Sequence, residues 1–113
     1  MIHAFADCEL DIARHILRRG DKVVHVEPQV FALLELLVSR AGEVVSRDQI
    51  IETVWGGRIV SEATISARIS AARAAVGDSG QAQAVIKTVT RVGLQLVAQV
   101  RHLDGGPAPR ART

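Results

Sequence analysis

A chain of 113 residues, 48% of them apolar and 3% aromatic, is long enough to bury one modest core as a single domain without a metal or disulfide staple. The single cysteine, Cys8, excludes an internal disulfide, and His3, His15, His25 and His102 never fall at the spacing of a zinc site, so neither metal nor cofactor is expected. No run approaches the ~18 uncharged apolar residues of a membrane span, and the N-terminus lacks the pattern of a secretion signal, so a soluble, cytoplasmic chain without membrane contact is expected.

In chain order, AFADCELDIARHILRRGDKVVHVEP alternates short apolar runs with turn signals, broken at Arg19-Gly20-Asp21, which predicts three or four short antiparallel strands. Cys8 reads as a core or strand residue. Pro28 suits the first turn of a helix, and Val30, Leu33, Leu34, Leu37 and Val38 then recur at helical steps with Phe31 beside them. Gly42 is expected to close that helix. Ser46-Arg47-Asp48-Gln49 is a capping-box pattern, so a second, shorter helix should carry Ile50, Ile51, Val54 and Trp55 toward the core and stop at Gly56-Gly57. Arg58-Ile59-Val60 is then a short loop.

Ser61 is the expected N-cap of a third helix, Glu62 sits in its first turn where the helix dipole favours it, and Gly77 closes it. On a helical wheel Ile65, Ile69, Ala72 and Val76 fall within about 40° of one another and form the buried stripe. Arg68 and Arg73 take opposite shoulders. The outward side presents Ala63, Ala67, Ser70, Ala71 and Ala74, with Ser66 and Thr64 at its margins. Side chains this small let a backbone approach closely, and flanking cations suit a trough with anionic rims, which is the shape of a DNA major groove. A solvated Ala-rich surface or a helix-packing patch would show the same pattern.

Val85-Ile86-Lys87-Thr88-Val89 and Leu94-Gln95-Leu96-Val97 flank Thr90-Arg91-Val92-Gly93, which reads as a hairpin with a basic tip. Residues 100–113 are expected to form a flexible linker or tail, because the composition from Gly105 cannot bury apolar area. Charge is unevenly divided: residues 1–57 hold six Lys/Arg against nine Asp/Glu, and residues 58–113 hold eight against three. A phosphate-bearing partner would be drawn to the second part.

The framework EPQVFALLELLVSRAGEVVSRDQIIETVWGG, then VSEATISARISAARAAVGD, then VIKTVTRVGLQLV, resembles the OmpR/PhoB-type winged helix-turn-helix domain of bacterial transcriptional regulators over about residues 3–99. The resemblance implies an α+β fold with an N-terminal antiparallel sheet, three helices and a C-terminal β-hairpin wing. It implies sequence-specific binding to double-stranded DNA, the third helix in the major groove and the wing on the minor groove or backbone. A second copy on tandem half-sites and RNA polymerase are the further candidate partners. Ser61 to Val76 take the recognition helix, Arg73 matches an arginine of the family's helix pattern, and Ser46, Trp55 and Thr88 sit where the family often touches the DNA backbone. The chain departs from the pattern where Ala63, Ser70 and Ala71 replace basic residues. It departs again where Thr90-Arg91-Val92-Gly93-Leu94 replaces the wing's Arg-Gly-x-Gly-Tyr. Its start close to the first strand resembles the CadC/ToxR-like subgroup, in which no receiver domain precedes the winged domain.

The candidate phosphate or groove-edge contacts are Arg58, Arg68, Arg73, Lys87 and Arg91, and the candidate base readers are Thr64, Ser66, Ala67 and Ser70. Arg73→Ala is expected to weaken binding without unfolding the domain. Gly77-Asp78-Ser79-Gly80 spells the nucleophile segment of some serine proteases, but no Asp/His pair has an arguable place beside it, so it reads as a turn and no enzyme is expected. The alternative function is a winged-helix module for protein interaction or dimerisation, with little DNA affinity.

Overall fold

The computed structural model describes residues 2–103, and the early alternation becomes four antiparallel strands: β1 (Ile2–Phe5), β2 (Cys8–Asp11), β3 (Ile16–Arg19) and β4 (Lys22–Val24). Successive side chains point to opposite faces, so Phe5, Cys8, Leu10 and Leu17 turn inward while Glu9 and Arg18 stay in water. His15 stacks on Phe31 with ring centroids 4.6 Å apart, tying the β2–β3 turn to the first helix.

That helix, α1 (Pro28–Ser39), starts with proline at its N-terminus and buries Val30, Phe31, Leu33, Leu34, Leu37 and Val38 in one cluster with the strand residues. It ends before the expected Gly42. The Ser39 hydroxyl donates to the Leu36 carbonyl at 2.7 Å and Arg40 is the cap residue. Gly42, at φ 83°, instead bends the chain so that its N–H reaches the Leu96 carbonyl at 3.1 Å. A strand follows at once, β5 (Val44–Ser46), unsignalled in the sequence because three residues are too few to show a period.

Ser46 then opens α2 (Arg47–Trp55) through the expected capping box: its hydroxyl accepts from the Gln49 N–H at 3.1 Å, and the Gln49 side chain accepts from the Ser46 N–H at 2.9 Å. Gly56 and Gly57 end the helix in the left-handed conformation, at φ 65° and 80°. The third helix, α3 (Glu62–Ala75), is capped by the Ser61 hydroxyl, which accepts from the Thr64 N–H at 3.1 Å. Gly77 follows it at φ 77°. Helix α1 packs against both α2 and α3.

The wing is the hairpin β6 (Ile86–Val89) and β7 (Gly93–Leu96), and β5 pairs with β7 on its other side, giving a three-stranded sheet in the order β5-β7-β6. The last strand, β8 (Val100–Leu103), corrects the expected boundary. The first four residues assigned to a tail pair with β1, Ile2 opposite Leu103 and Phe5 opposite Val100, and complete a five-stranded sheet, β4-β3-β2-β1-β8. The cause is tertiary: β1 offers an unpaired edge, and VRHL satisfies it. The rest of the expected tail lies outside the described residues.

Candidate nucleic-acid interface

Helix α3 and the wing meet at one end of the domain, and backbone bonds set their relative position. The turn after α3 is the GDSG segment. The Asp78 carboxylate accepts from the N–H groups of Ser79 and Ala84 at 2.8 Å and of Val85 and Ile86 at 2.9 Å, so it clamps the helix end to the start of β6. Partial burial acts to raise its pKa, but the four backbone donors outweigh that and hold it below the usual carboxylate value. A lowered folded-state pKa means the clamp stabilises the fold above the unfolded carboxylate value of about 3.9 and loses that contribution as pH falls through the folded value. Asp78→Asn is therefore expected to lower stability by about 1–3 kcal/mol at neutral pH, with the gap to the parent closing in acid; urea titrations at several pH values measure it. An equal gap at every pH would refute the ionic clamp.

Across the wing tip, the Arg47 N–H donates to the Val92 carbonyl at 3.0 Å, so the start of α2 is pinned to the hairpin. Between wing and α3 lies a cleft of about 330 Å³ with Arg47, Ser66, Ser70, Arg73, Thr88 and Arg91 on its walls. The outward flank of α3 keeps Ala63, Ser66, Ala67, Ser70, Ala71 and Ala74 exposed, and Thr64 half-exposed. The inward stripe has Ile65, Ala72 and Val76 buried, with Ala75 added and Ile69 only half-covered.

The two shoulder arginines have different fates. Arg73 is 8% exposed, which corrects its placement on a free shoulder. Its Nε donates to the Ile86 carbonyl at 3.2 Å and its Nη2 to the Thr88 hydroxyl at 2.7 Å, so the side chain bridges from the helix to β6. Arg68 is turned to the opposite side. Its Nε donates to Gln29 Oε1 at 2.9 Å and lies 3.3 Å from a Glu27 carboxylate oxygen, both at the start of α1. Lys87 and Arg91 are exposed on the wing, and Arg58 is exposed on the α2–α3 loop beside Ile59, which is fully exposed at 102%. Of the candidate backbone contacts, Trp55 is 8% exposed within the core, and the half-buried Ser46 hydroxyl accepts the helix-cap bond from Gln49.

Sequence reasoning missed one pair. Arg47 and Glu62, at the first positions of α2 and α3, form an ion pair, and Arg47 also lines the cleft. Their separation along the chain carries no periodic or motif signal, so only the fold reveals it. Cys8 takes no part: burial, the neighbouring Asp7 charge and its hydrogen bond push the thiol up to about 12 against a weaker opposing pull from Arg19, so it stays protonated.

This arrangement of three helices, an N-terminal sheet and a hairpin beside the exposed third helix defines a winged helix-turn-helix domain. Residues 20–96 match the family described as transcriptional regulatory protein, C terminal, and the chain belongs to it, as a domain of the OmpR/PhoB type. It is 38% identical over 91 residues to the phosphate regulon transcriptional regulatory protein PhoB of Rhizobium meliloti, covering 80% of this chain and 40% of that protein. The chain thus spans less than half the length of that relative. The DNA-binding domain of Escherichia coli CadC superposes with a TM-score of 0.75 at 25% identity, covering 88% of this chain and 94% of that one. The Klebsiella pneumoniae RstA DNA-binding domain, solved with the RstA box, shares the fold with a TM-score of 0.74 at 21% identity, over 85% of this chain and 96% of that one.

Proposed function

We propose that this chain binds double-stranded DNA in the regulation of transcription, with α3 in the major groove and the β6–β7 wing on the minor groove or backbone. One observation carries the reading. The small-residue flank of α3 is exposed and lies beside a wing that exposes Lys87 and Arg91, in a domain of a transcriptional regulator family. A groove floor is met by Thr64, Ser66, Ala67 and Ser70, and its rims by Arg58, Lys87 and Arg91. Arg73 and Trp55 support that surface from behind, Ser46 caps α2, and Thr88 stands on the cleft wall as the acceptor of the Arg73 bond. The site of action is the cytoplasm.

Three such phosphate contacts predict a slope of about −2.7 in log affinity against log salt, a loss of roughly 40-fold between 50 and 200 mM. Fluorescence anisotropy on a labelled duplex measures it. Arg91→Ala should weaken binding to all sequences alike and reduce the slope by about one. A flat salt response would remove the DNA reading. It would leave the protein-interaction module, which one observation favours: among the described residues of α3, both cations are already bonded within the domain. Size-exclusion chromatography with and without duplex separates the two readings.

A further inference from the structure

We propose that Glu62, held in place by Arg47, reads the amino group of a cytosine in the major groove, an inference that rests on the DNA reading above. Readout needs a side chain that reaches a base edge with hydrogen-bonding atoms to spare. Along the outward flank of α3, alanine carries none, and the serines at 66 and 70 are short. The long cations are directed elsewhere: the Arg68 Nε is turned toward Glu27 and Gln29 at the start of α1, and Arg73 is buried against Ile86 and Thr88. Among the described residues of α3, Glu62 is the long polar side chain left at the surface, its side chain 77% exposed. It stands at the N-terminal end of the helix, where recognition helices of this architecture meet base edges.

The chemistry then selects the base. An ionised carboxylate only accepts hydrogen bonds, so it repels the O6 and N7 of guanine and the O4 of thymine. Adenine offers its N6 amino group beside an N7 acceptor, whereas cytosine offers an N4 amino group with no acceptor on the same groove edge. A bare carboxylate would also be pushed away by the phosphates. Arg47 offsets that charge, and its backbone is bonded to Val92 in the wing, so the pair links the start of α3 to a residue that lines the cleft. The guanidinium keeps further donors for a phosphate on the groove rim.

A purely structural role for Glu62 is available, since an acidic residue in the first turn favours the helix dipole. That role changes melting temperature and leaves base preference untouched. The test is therefore selection of bound duplexes from a random pool by the parent chain and by Glu62→Gln, each first shown to be folded by thermal melting. The parent should enrich cytosine at one position of the half-site, and changing that C·G pair should weaken binding about tenfold. Glu62→Gln should lose that preference or exchange it for adenine, whose N6 and N7 suit a carboxamide, while other positions stay as they were. Arg47→Gln should blunt the cytosine preference without exchanging it. Identical enrichment by the parent and Glu62→Gln overturns the inference and leaves the DNA reading standing. No enriched sequence for the parent, together with a flat salt response, overturns the DNA reading itself.

Discussion

Replacing Gly93 by Ala is expected to destabilise the wing and with it the whole domain severely. A Cβ built at Gly93 falls 1.8 Å from the Val45 carbonyl oxygen, 2.8 Å from its carbon and 2.9 Å from the Ser46 Cα. All three are backbone atoms of β5, so no side chain can swing aside. Relief requires parting β5 from β7, which would break the Val45–Leu94 and Ser46–Gly93 pairing and expose Val45 and Leu94, both buried in the core. The bond from the Arg47 N–H to Val92 would go with it. The cost is on the order of 3–5 kcal/mol, large for a domain of this size. Thermal melting should show a midpoint drop of roughly 15 °C or more, and a parent-like melt would show that β5 does not press on the wing as described. The neighbouring tip residue sharpens the point. The family's wing pattern has glycine where this chain has Arg91, and Arg91 adopts φ 67°, a left-handed conformation that strains a residue with a Cβ by about 1–2 kcal/mol. The cation at the wing tip is thus held at a position shaped for glycine, whereas Gly93 cannot be replaced because the obstacle there is another strand.

The second large effect concerns Arg73. Arg73→Ala is expected to destabilise the domain by about 2–4 kcal/mol, since it empties a buried site and leaves the Ile86 carbonyl and Thr88 hydroxyl without their charged donor. This reverses the sequence-based expectation of a folded variant with weakened binding. At a temperature where the variant is still folded, its duplex affinity should stay close to the parent's. Its melting midpoint should fall by roughly 10–25 °C. Arg73→Lys should recover part of the loss, because an ammonium keeps the charge but cannot span both acceptors in the guanidinium's fixed geometry. Affinity lost in full by a variant that melts like the parent would return Arg73 to the DNA surface.

Much of the architecture is legible in the residues because its signals are local. Ser46 with Gln49 and Ser61 ahead of Glu62 mark helix starts through bonds made within a few residues, and the apolar steps from Val30 to Val38 mark a buried helix face. The hairpin with Arg91 at its tip follows from two β-rich runs about a turn. The strands β5 and β8 are not legible in the same way. Each is three or four residues long and exists because β7 or β1 presents a free edge. The wheel orders the faces of α3, but it cannot say what each face meets.

The amino-acid order alone determined the three helices, the early strands and the hairpin, the caps at Ser46 and Ser61, and that the third helix carries a bare flank, because periodicity and capping act over a few neighbouring residues. The tertiary structure decided which charges that helix can offer. Bonds to β6 from one shoulder and to the α1 start from the other remove Arg73 and Arg68 from solvent or tie them down, while the meeting of two helix starts pairs Arg47 with Glu62. A side chain's freedom depends on what lies across from it, and that is set by contacts between residues far apart in the chain.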